Sequence, residues 1–600
     1  MCGVVGYIGW REALPVLLDS LKRLEYRGYD SAGVSVIDIK RELFSSKVAG
    51  RIGELEKRLP NVVGNVGIAH TRWATHGRPE DRNAHPFVDC RGELALAHNG
   101  IIENHRELRE ALEREGHKFS SDTDTETLVH LIERNYKGDL KAAVAESLKK
   151  VSGSLAIVVI HRSEPDKVVA ARDESPLVVG LGQGENFVAS DLPAILKYTR
   201  RVVYLENKEL AVLTREGVSI ERFTGERVER NPTAVDWTPE DTEKGGYPHF
   251  MLKEIHEQPR AILESLIGRI PDLNLDIGGI EKEEFDSIKI VACGTSYHAG
   301  LAGKYILEEL TGVPVMVEPA SEYRYSSPSR QLPLMILISQ SGESADTLQA
   351  AREARRRGCR TLAITNVVGS SITREVDATF FTRAGPEIGV AATKTFVTQL
   401  VALVLLGAAM GKHRGTLLPN RISELIEGLR RLPRDVQAVL NNSGAIKLTA
   451  EWMSNAKDVF FIGRNINYPI ALEGALKLKE ISYLHAEGFA AGELKHGPNA
   501  LLTKDTPVVA IAIRDHTYEK LLSNIGEVSA RNAPVVAIGF ENDRELKKAA
   551  DLTLFIPEVL PILSPVPVIV TLQLLAYYVA LARGCEIDKP RNLAKSVTVE

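Results

Sequence analysis

Cysteine is scarce in this 600-residue chain: Cys2, Cys90, Cys293, Cys359 and Cys585 are all there are. An odd handful without paired spacing excludes the disulfide framework of a small secreted domain and offers no metal-ligand pattern along the chain, so the expectation is a reducing cytoplasm and no metal. Charge of one sign is also missing. The formal net charge is −5 and the basic residues are dispersed, which leaves no stripe for a polyanion and argues against nucleic acid. The one dense cluster, Arg355-Arg356-Arg357 before Gly358, predicts a solvated last helical turn and a glycine cap.

Long apolar runs are nearly absent. Val559 to Ala582 carries no charge and meets the crude length for a membrane span, but Pro561, Pro565 and Pro567 interrupt its first third. The expectation is a buried helix of about ten residues entered through a proline-rich loop. Leu400 to Met410 is too short to span, so no membrane is expected as a partner. The N-terminus shows no basic region followed by an apolar stretch, since Arg11 and Glu12 interrupt it, and no secretion signal is read there.

What is present has two grammars. Up to about residue 235, short apolar runs (Gly3 to Ile8, Ala32 to Ile37, Val66 to His70, Glu93 to His98, Leu155 to Ile160, Val168 to Arg172) are interspersed with helical stretches such as Ala13 to Leu24 and Thr125 to Tyr136. That is the pattern of a layered domain with extended sheets. A polar segment, 236–247, reads as a linker. Beyond it, strands alternate with long helices, as in doubly wound parallel sheets. Three strand signals, near Ile288, Leu334 and Thr361, recur near Asp458, Val508 and Val535. An offset of about 170 to 175 residues held through three strands predicts a duplicated domain, with copies at 248–445 and 446–590 and a tail at 591–600.

Cys2 is the first chemical feature. With Met1 removed, its thiol and its own α-amine form a nucleophile and base in one residue, because the amine titrates near ~7.7 to 8.0. Asn99-Gly100 alone is a hairpin-turn signal; beside a thiol nucleophile, an amide and a glycine N–H also form an oxyanion hole. Arg72 and Asp124 can hold the carboxylate and ammonium of a free amino acid.

In the first sheet copy, Cys293-Gly294-Thr295-Ser296 and Ser339-Gln340-Ser341-Gly342-Glu343-Ser344 follow consecutive strands. Hydroxyls and glycines at helix starts there suit a phosphate. The second copy has Gly463-Arg464-Asn465 and Arg514-Asp515-His516 instead, and its phosphate site is expected to be lost. Glu473, Lys477 and Glu480 share one helix face, by spacing alone an exposed ion-pair series. His496 lies in a glycine-bounded loop and can shuttle protons near neutrality.

These motifs together resemble the glutamine-dependent, isomerising fructose-6-phosphate aminotransferases over essentially the whole chain. Cys2-Gly3, Tyr26 to Gly33, His70 to Gly77 and Asn99-Gly100 are similar to that family's glutaminase domain. Cys293 to Ser296, Ser339 to Ser344, Ala391 to Lys394 and Leu476 to Ser482 are similar to its paired sugar-isomerase domains, and Pro590 to Glu600 to its C-terminal tail. Ser344 stands where the family is expected to have threonine, and Ala392 where serine is expected.

The resemblance implies an N-terminal-nucleophile hydrolase αββα sandwich followed by two SIS (sugar isomerase) doubly wound α/β domains. It implies conversion of L-glutamine and D-fructose 6-phosphate to L-glutamate and D-glucosamine 6-phosphate, the first step of hexosamine synthesis, with ammonia passed internally and no cofactor. Cys2, Asn99 and Gly100 are then catalytic in the first site. There Arg72, Trp73, Thr75, His76 and Asp124 bind glutamine, Trp73 also gating the ammonia route, and Arg27 supports the nucleophile. In the second, Thr295, Ser296, Ser339, Gln340, Ser341 and Ser344 bind the sugar phosphate. His496 opens the ring from the neighbouring subunit of a homodimer, Lys595 forms a Schiff base, Glu480 moves a proton between C1 and C2, and Glu473 and Lys477 assist.

The duplicated sheets argue against a phosphoribosyl-pyrophosphate amidotransferase, and the complete glutaminase set argues against a silent sugar-phosphate sensor.

Overall fold

The computed structural model describes residues 2–598 apart from 74–76, 239, 271–272, 274 and 328–331. The chain divides into two compact units, residues 1–243 with 594–600, and residues 244–593.

In the first unit, two antiparallel sheets of eight and seven strands lie face to face. Strand Gly3–Ile8 is central in the larger sheet, between Asn186–Ala189 and Val66–Arg72. Its register sets Gly3 opposite Thr71 and Val4 opposite His70, which brings Cys2 to the end of Val66–Arg72. In the smaller sheet, Leu94–Ile102 pairs with Gly153–His161.

Strand alternation makes the layers. Ala156, Val158 and Ile160 face the core between the sheets, whereas Leu155, Ile157 and Val159 face a second core under helices His105–Arg114, Thr125–Asn135 and Leu140–Leu148. Both faces of the strand are therefore buried, and an unbroken apolar run results where a half-exposed strand would alternate. Helix Ala13–Leu24 covers the outer face of the larger sheet. The sandwich of sheets between helix layers is the αββα arrangement.

The second unit contains two five-stranded parallel sheets of the same strand order. One runs Val315–Pro319, Ile288–Ala292, Leu334–Ser339, Thr361–Thr365, Ala378–Phe381; the other runs His485–Ala490, Asp458–Gly463, Val508–Ile511, Val535–Phe540, Leu552–Ile556. Identical crossovers around corresponding strands are what a duplication leaves. One continuous hydrophobic core joins the copies, drawing Ile290 and Leu400 together with Ile470, Leu478 and Leu574. Helix Gly294–Thr311 of the first copy packs against both Lys394–Arg414 and Asn467–Ser482.

Two expectations change. The apolar segment near the C-terminus forms an 18-residue helix, Pro565–Ala582, far longer than the proline count suggested. Pro565 and Pro567 sit in its first turn, where backbone N–H groups have no intrahelical acceptor to lose. That helix and Lys394–Arg414 are apolar and long enough for a membrane, but both are buried among protein side chains. Arg357 is not solvated like Arg356: it pairs with Glu353 at 2.6 Å and donates to the Ser326 carbonyl.

Candidate functional site

Cys2 lies at the head of the central strand. Its Sγ accepts a hydrogen bond from the Trp73 amide at 3.3 Å, and its carbonyl accepts from Arg27 Nε at 3.3 Å and from Asn99 Nδ2 at 3.0 Å. Arg27 is buried and held by Asp191 at 2.5 Å; Tyr26 donates to the same carboxylate. A fixed guanidinium therefore anchors the backbone of the thiol-bearing residue.

Asn99-Gly100 forms no turn. Both residues lie inside strand Leu94–Ile102, opposite Ala156 and Leu155. Gly100 has φ +133°, and a Cβ there would stand 2.0 Å from the Ser154 carbonyl oxygen, so only glycine fits this step of the strand.

The orientation of the Asn99 amide follows from its neighbour. His70 Nε2 is 3.0 Å from both Asn99 Oδ1 and the His98 carbonyl; both are acceptors, so Nε2 carries the proton. Burial pushes His70 down to about 3, against the raising effect of those bonds, which keeps the ring neutral. His85 stacks on it at 4.1 Å and is likewise driven well down by burial. With Oδ1 taken by His70, the Asn99 NH2 has to face Cys2. His70 is a positioning residue that the sequence reading quoted without assigning; its signal was the two-residue spacing to Arg72, which puts both on one strand face.

Arg72 is buried and donates to the Gly77 carbonyl at 3.2 Å. Burial lowers its pKa, opposed by the charges of Cys2 and Asp124. Asp124, also buried, precedes helix Thr125–Asn135 and accepts from the Ile102 amide at 2.7 Å. Trp73 meets the Tyr29 ring edge-on. Thr75 and His76 lie outside the described residues.

In the second unit, the two hydroxyl-rich turns follow adjacent parallel strands, Ile288–Ala292 and Leu334–Ser339, at the point where the strand order reverses. Thr295 and Ser296 occupy the first turn of helix Gly294–Thr311, and Ser344 stands at the N-terminal boundary of helix Ala345–Arg356 without a capping hydrogen bond from its side chain. Ser339 Oγ accepts from the Gly342 amide and lies 3.3 Å from Ser344 Oγ. Ser341 Oγ accepts from the Glu343 amide, and Gln340 accepts from the Asn366 amide through its carbonyl. Gln399 donates to Ser296 Oγ at 3.0 Å. Gly342 has φ +67°, and a Cβ there would be 2.2 Å from Ser370 Oγ. At the matching turns of the second copy, Arg464 donates to Asn524 and Arg514 pairs with Asp543 and Glu545, so both guanidinium groups are engaged by protein partners.

Glu473, Lys477 and Glu480 are on helix Asn467–Ser482, and the exposed ion-pair reading fails for the first two. The side chains of Glu473 and Lys477 are 1% and 0% exposed. Lys477 Nζ is 3.3 Å from Glu473, 2.7 Å from Glu480 and 3.1 Å from Thr295 Oγ1. Thr295 donates to Glu473 at 3.0 Å, and His298 Nδ1 is 2.7 Å from its other oxygen. Burial pulls Lys477 down, but the two carboxylates outweigh it and hold it above its ordinary value. Burial raises Glu473, and Lys477 with His298 outweigh that and hold it below. Thr295 and His298, three residues apart on one helix face, thus carry the network into the first copy; His298 escaped the sequence reading.

His496 is exposed at the end of the 3-10 turn Ala491–His496. Lys595 falls in the segment 594–600, which belongs to the first unit.

A family profile for glutamine amidotransferase domains matches residues 70–197, and one for SIS domains matches twice, at 283–409 and 453–583. The chain is 52% identical, over the full length of both, to the isomerizing glutamine–fructose-6-phosphate aminotransferase of Symbiobacterium thermophilum, and 52% identical, again over both full lengths, to that of Methanosarcina acetivorans. The chain belongs to the family of isomerizing glutamine–fructose-6-phosphate aminotransferases. The solved C-terminal domain of glucosamine-fructose-6-phosphate aminotransferase from Francisella tularensis is 40% identical, with a TM-score of 0.56 over 58% of this chain and all of that one.

In this aminotransferase, Lys477→Met should cost about 3–5 kcal/mol, because Glu473 stays buried without its partner. Denaturant unfolding checks it. The depressed Glu473 contributes stability above the ordinary glutamate range that is lost as pH falls through its folded value; the raised Lys477 contributes stability that is lost only as pH rises beyond the ordinary lysine range. Both limbs should flatten in the variant.

Proposed function

We propose that Cys2 attacks the side-chain amide of glutamine, with its own α-amine as base once Met1 is removed, and that Asn99 Nδ2 and the Gly100 N–H stabilise the oxyanion. The chain is an aminotransferase that makes D-glucosamine 6-phosphate and L-glutamate from D-fructose 6-phosphate and L-glutamine. The observation that carries the residue assignment is the approach of Asn99 Nδ2 to Cys2, with its direction set by neutral His70. Arg72 and Asp124 clamp the carboxylate and ammonium of glutamine, and Thr75 and His76 also bind it. Trp73 gates the ammonia route, and Arg27 fixes the Cys2 backbone.

Ammonia is passed on to the sugar. Thr295, Ser296, Ser339, Gln340, Ser341 and Ser344 bind the phosphate, a role supported by the two helix starts at the strand-order reversal. Lys595 forms the Schiff base with the ketone and Glu480 carries the proton between C1 and C2, with Lys477 and Glu473 holding Glu480 in place. Ring opening by His496 of the partner subunit makes the working form a homodimer. The domain division proposed is 1–235 for the glutaminase, 248–445 and 446–590 for the sugar-isomerase pair, and 591–600 for the tail; the free state of all five cysteines favours a cytoplasmic location.

Product analysis after mixing the protein with glutamine and fructose 6-phosphate should yield glucosamine 6-phosphate and glutamate. Cys2→Ala should abolish glutamine hydrolysis, and Asn99→Ala should slow it by roughly 10²-fold to 10³-fold. His70→Phe should give a smaller loss of kcat with little change in KM, since the amide remains but can flip.

Glu480→Gln should stop isomerisation and spare basal glutamine hydrolysis, measured by separate glutamate and amino-sugar assays. Amino-sugar formation at the parental rate would remove Glu480 from that role.

A further inference from the structure

Four potential metal ligands meet in the first unit, outside the sites assigned above. Cys90 is in the turn between strands Phe87–Val88 and Leu94–Ile102, His117 follows helix His105–Arg114, and His130 and Glu133 are one turn apart on helix Thr125–Asn135. Cys90 Sγ is 3.5 Å from His130 Nδ1 and 3.8 Å from His117 Nδ1. Glu133 Oε2 is 3.0 Å from His117 Nδ1 and 3.1 Å from His130 Nδ1. All four ligand atoms lie within 4.8 Å of one another.

A tetrahedral ion with bonds of about 2.0–2.1 Å to N and O and about 2.3 Å to S sets its ligand atoms roughly 3.3–3.6 Å apart. The cluster has nearly those dimensions already. The expectation of no metal came from spacing along the chain, whereas these ligands converge from three separate elements.

We propose that Cys90, His117, His130 and Glu133 form a structural binding site for a zinc-class divalent cation. One sulfur, two imidazoles and one carboxylate suit a borderline-soft tetrahedral ion. Thiolate and carboxylate together neutralise its double positive charge, which a largely buried site requires. The His130 side chain is 2% exposed, and those of His117 and Glu133 are 13% and 11%; Cys90 is exposed and leaves an entry path.

The surroundings continue the design. The Lys118 amide donates to Cys90 Sγ at 3.5 Å and the Cys90 amide to Glu133 at 3.3 Å. His130 Nε2 faces Glu126 Oε1 at 3.8 Å, the place of the carboxylate that commonly backs a ligating imidazole. Glu126 is itself fixed by Ser120 and Ser121, and the Phe119 ring meets His130 edge-on at 4.7 Å. A bound cation would tie the turn that starts strand Leu94–Ile102, the carrier of Asn99 and Gly100, to the helix that begins after Asp124.

The test is titration of the chelator-treated full-length protein with Co2+, followed by absorption spectroscopy, with Zn2+ displacement and thermal unfolding alongside. One equivalent should give the visible bands of tetrahedral Co2+ and a thiolate-to-metal charge-transfer band, Zn2+ should abolish both, and Zn2+ should raise the unfolding midpoint. Cys2→Ala should keep the charge-transfer band and Cys90→Ser should lose it. His117→Gln should weaken binding by more than the about 10–100-fold that loss of an outer-shell partner costs. Weak octahedral bands, no saturation near one equivalent, or a charge-transfer band that survives Cys90→Ser would overturn the site.

Discussion

A lysine with no exposed side-chain surface is tolerable only where carboxylates and hydroxyls repay several kcal/mol of lost hydration. Lys477 meets that condition by drawing Glu473, Glu480 and Thr295 around its ammonium. Since Thr295 and His298 belong to the first sheet copy and Glu473, Lys477 and Glu480 to the second, the two halves of the duplication are tied by charge at the point where their helices pack. The arrangement leaves the partly exposed Glu480 at the edge of a rigid, buried network, a setting that suits the proton transfer between C1 and C2 proposed for it.

The glutaminase half depends on a different device, the fixing of an amide by a histidine that burial keeps uncharged. An ionised His70 would bring charge into a buried layer already holding His85 and His98; neutral, it is a single-proton donor that reads the oxygen of Asn99 and turns the nitrogen toward Cys2. Gly100 complements it, because no side chain can stand between that strand and Ser154. The Gly100 constraint comes from the pairing of Leu94–Ile102 with Gly153–His161, and the His70 contact from the packing of Val66–Arg72 in the other sheet against Leu94–Ile102.

Much of this was readable in advance. The short apolar runs marked strands such as Gly153–His161, the strand-signal offset marked the duplication, and the resemblance of Cys2-Gly3, Asn99-Gly100 and the Ser339 to Ser344 turn led to the family that the full-length relatives establish. Local chemistry is written locally: a turn needing glycine, a helix start needing hydroxyls, a terminal cysteine. The misreadings share a physical origin. Asn99-Gly100 has the composition of a turn, and only pairing with a second strand holds it extended; Pro565 and Pro567 look like helix breakers until their place in a first turn is known.

By itself, then, the sequence determined most element types, the repeat and the family, because periodicity and motif chemistry act over a few residues. Only the tertiary structure decided which charges are buried, which way the Asn99 amide points, and that Cys90, His117, His130 and Glu133 share one point in space. Those outcomes depend on dielectric environment and on contacts between segments far apart in the chain, and no local pattern encodes either.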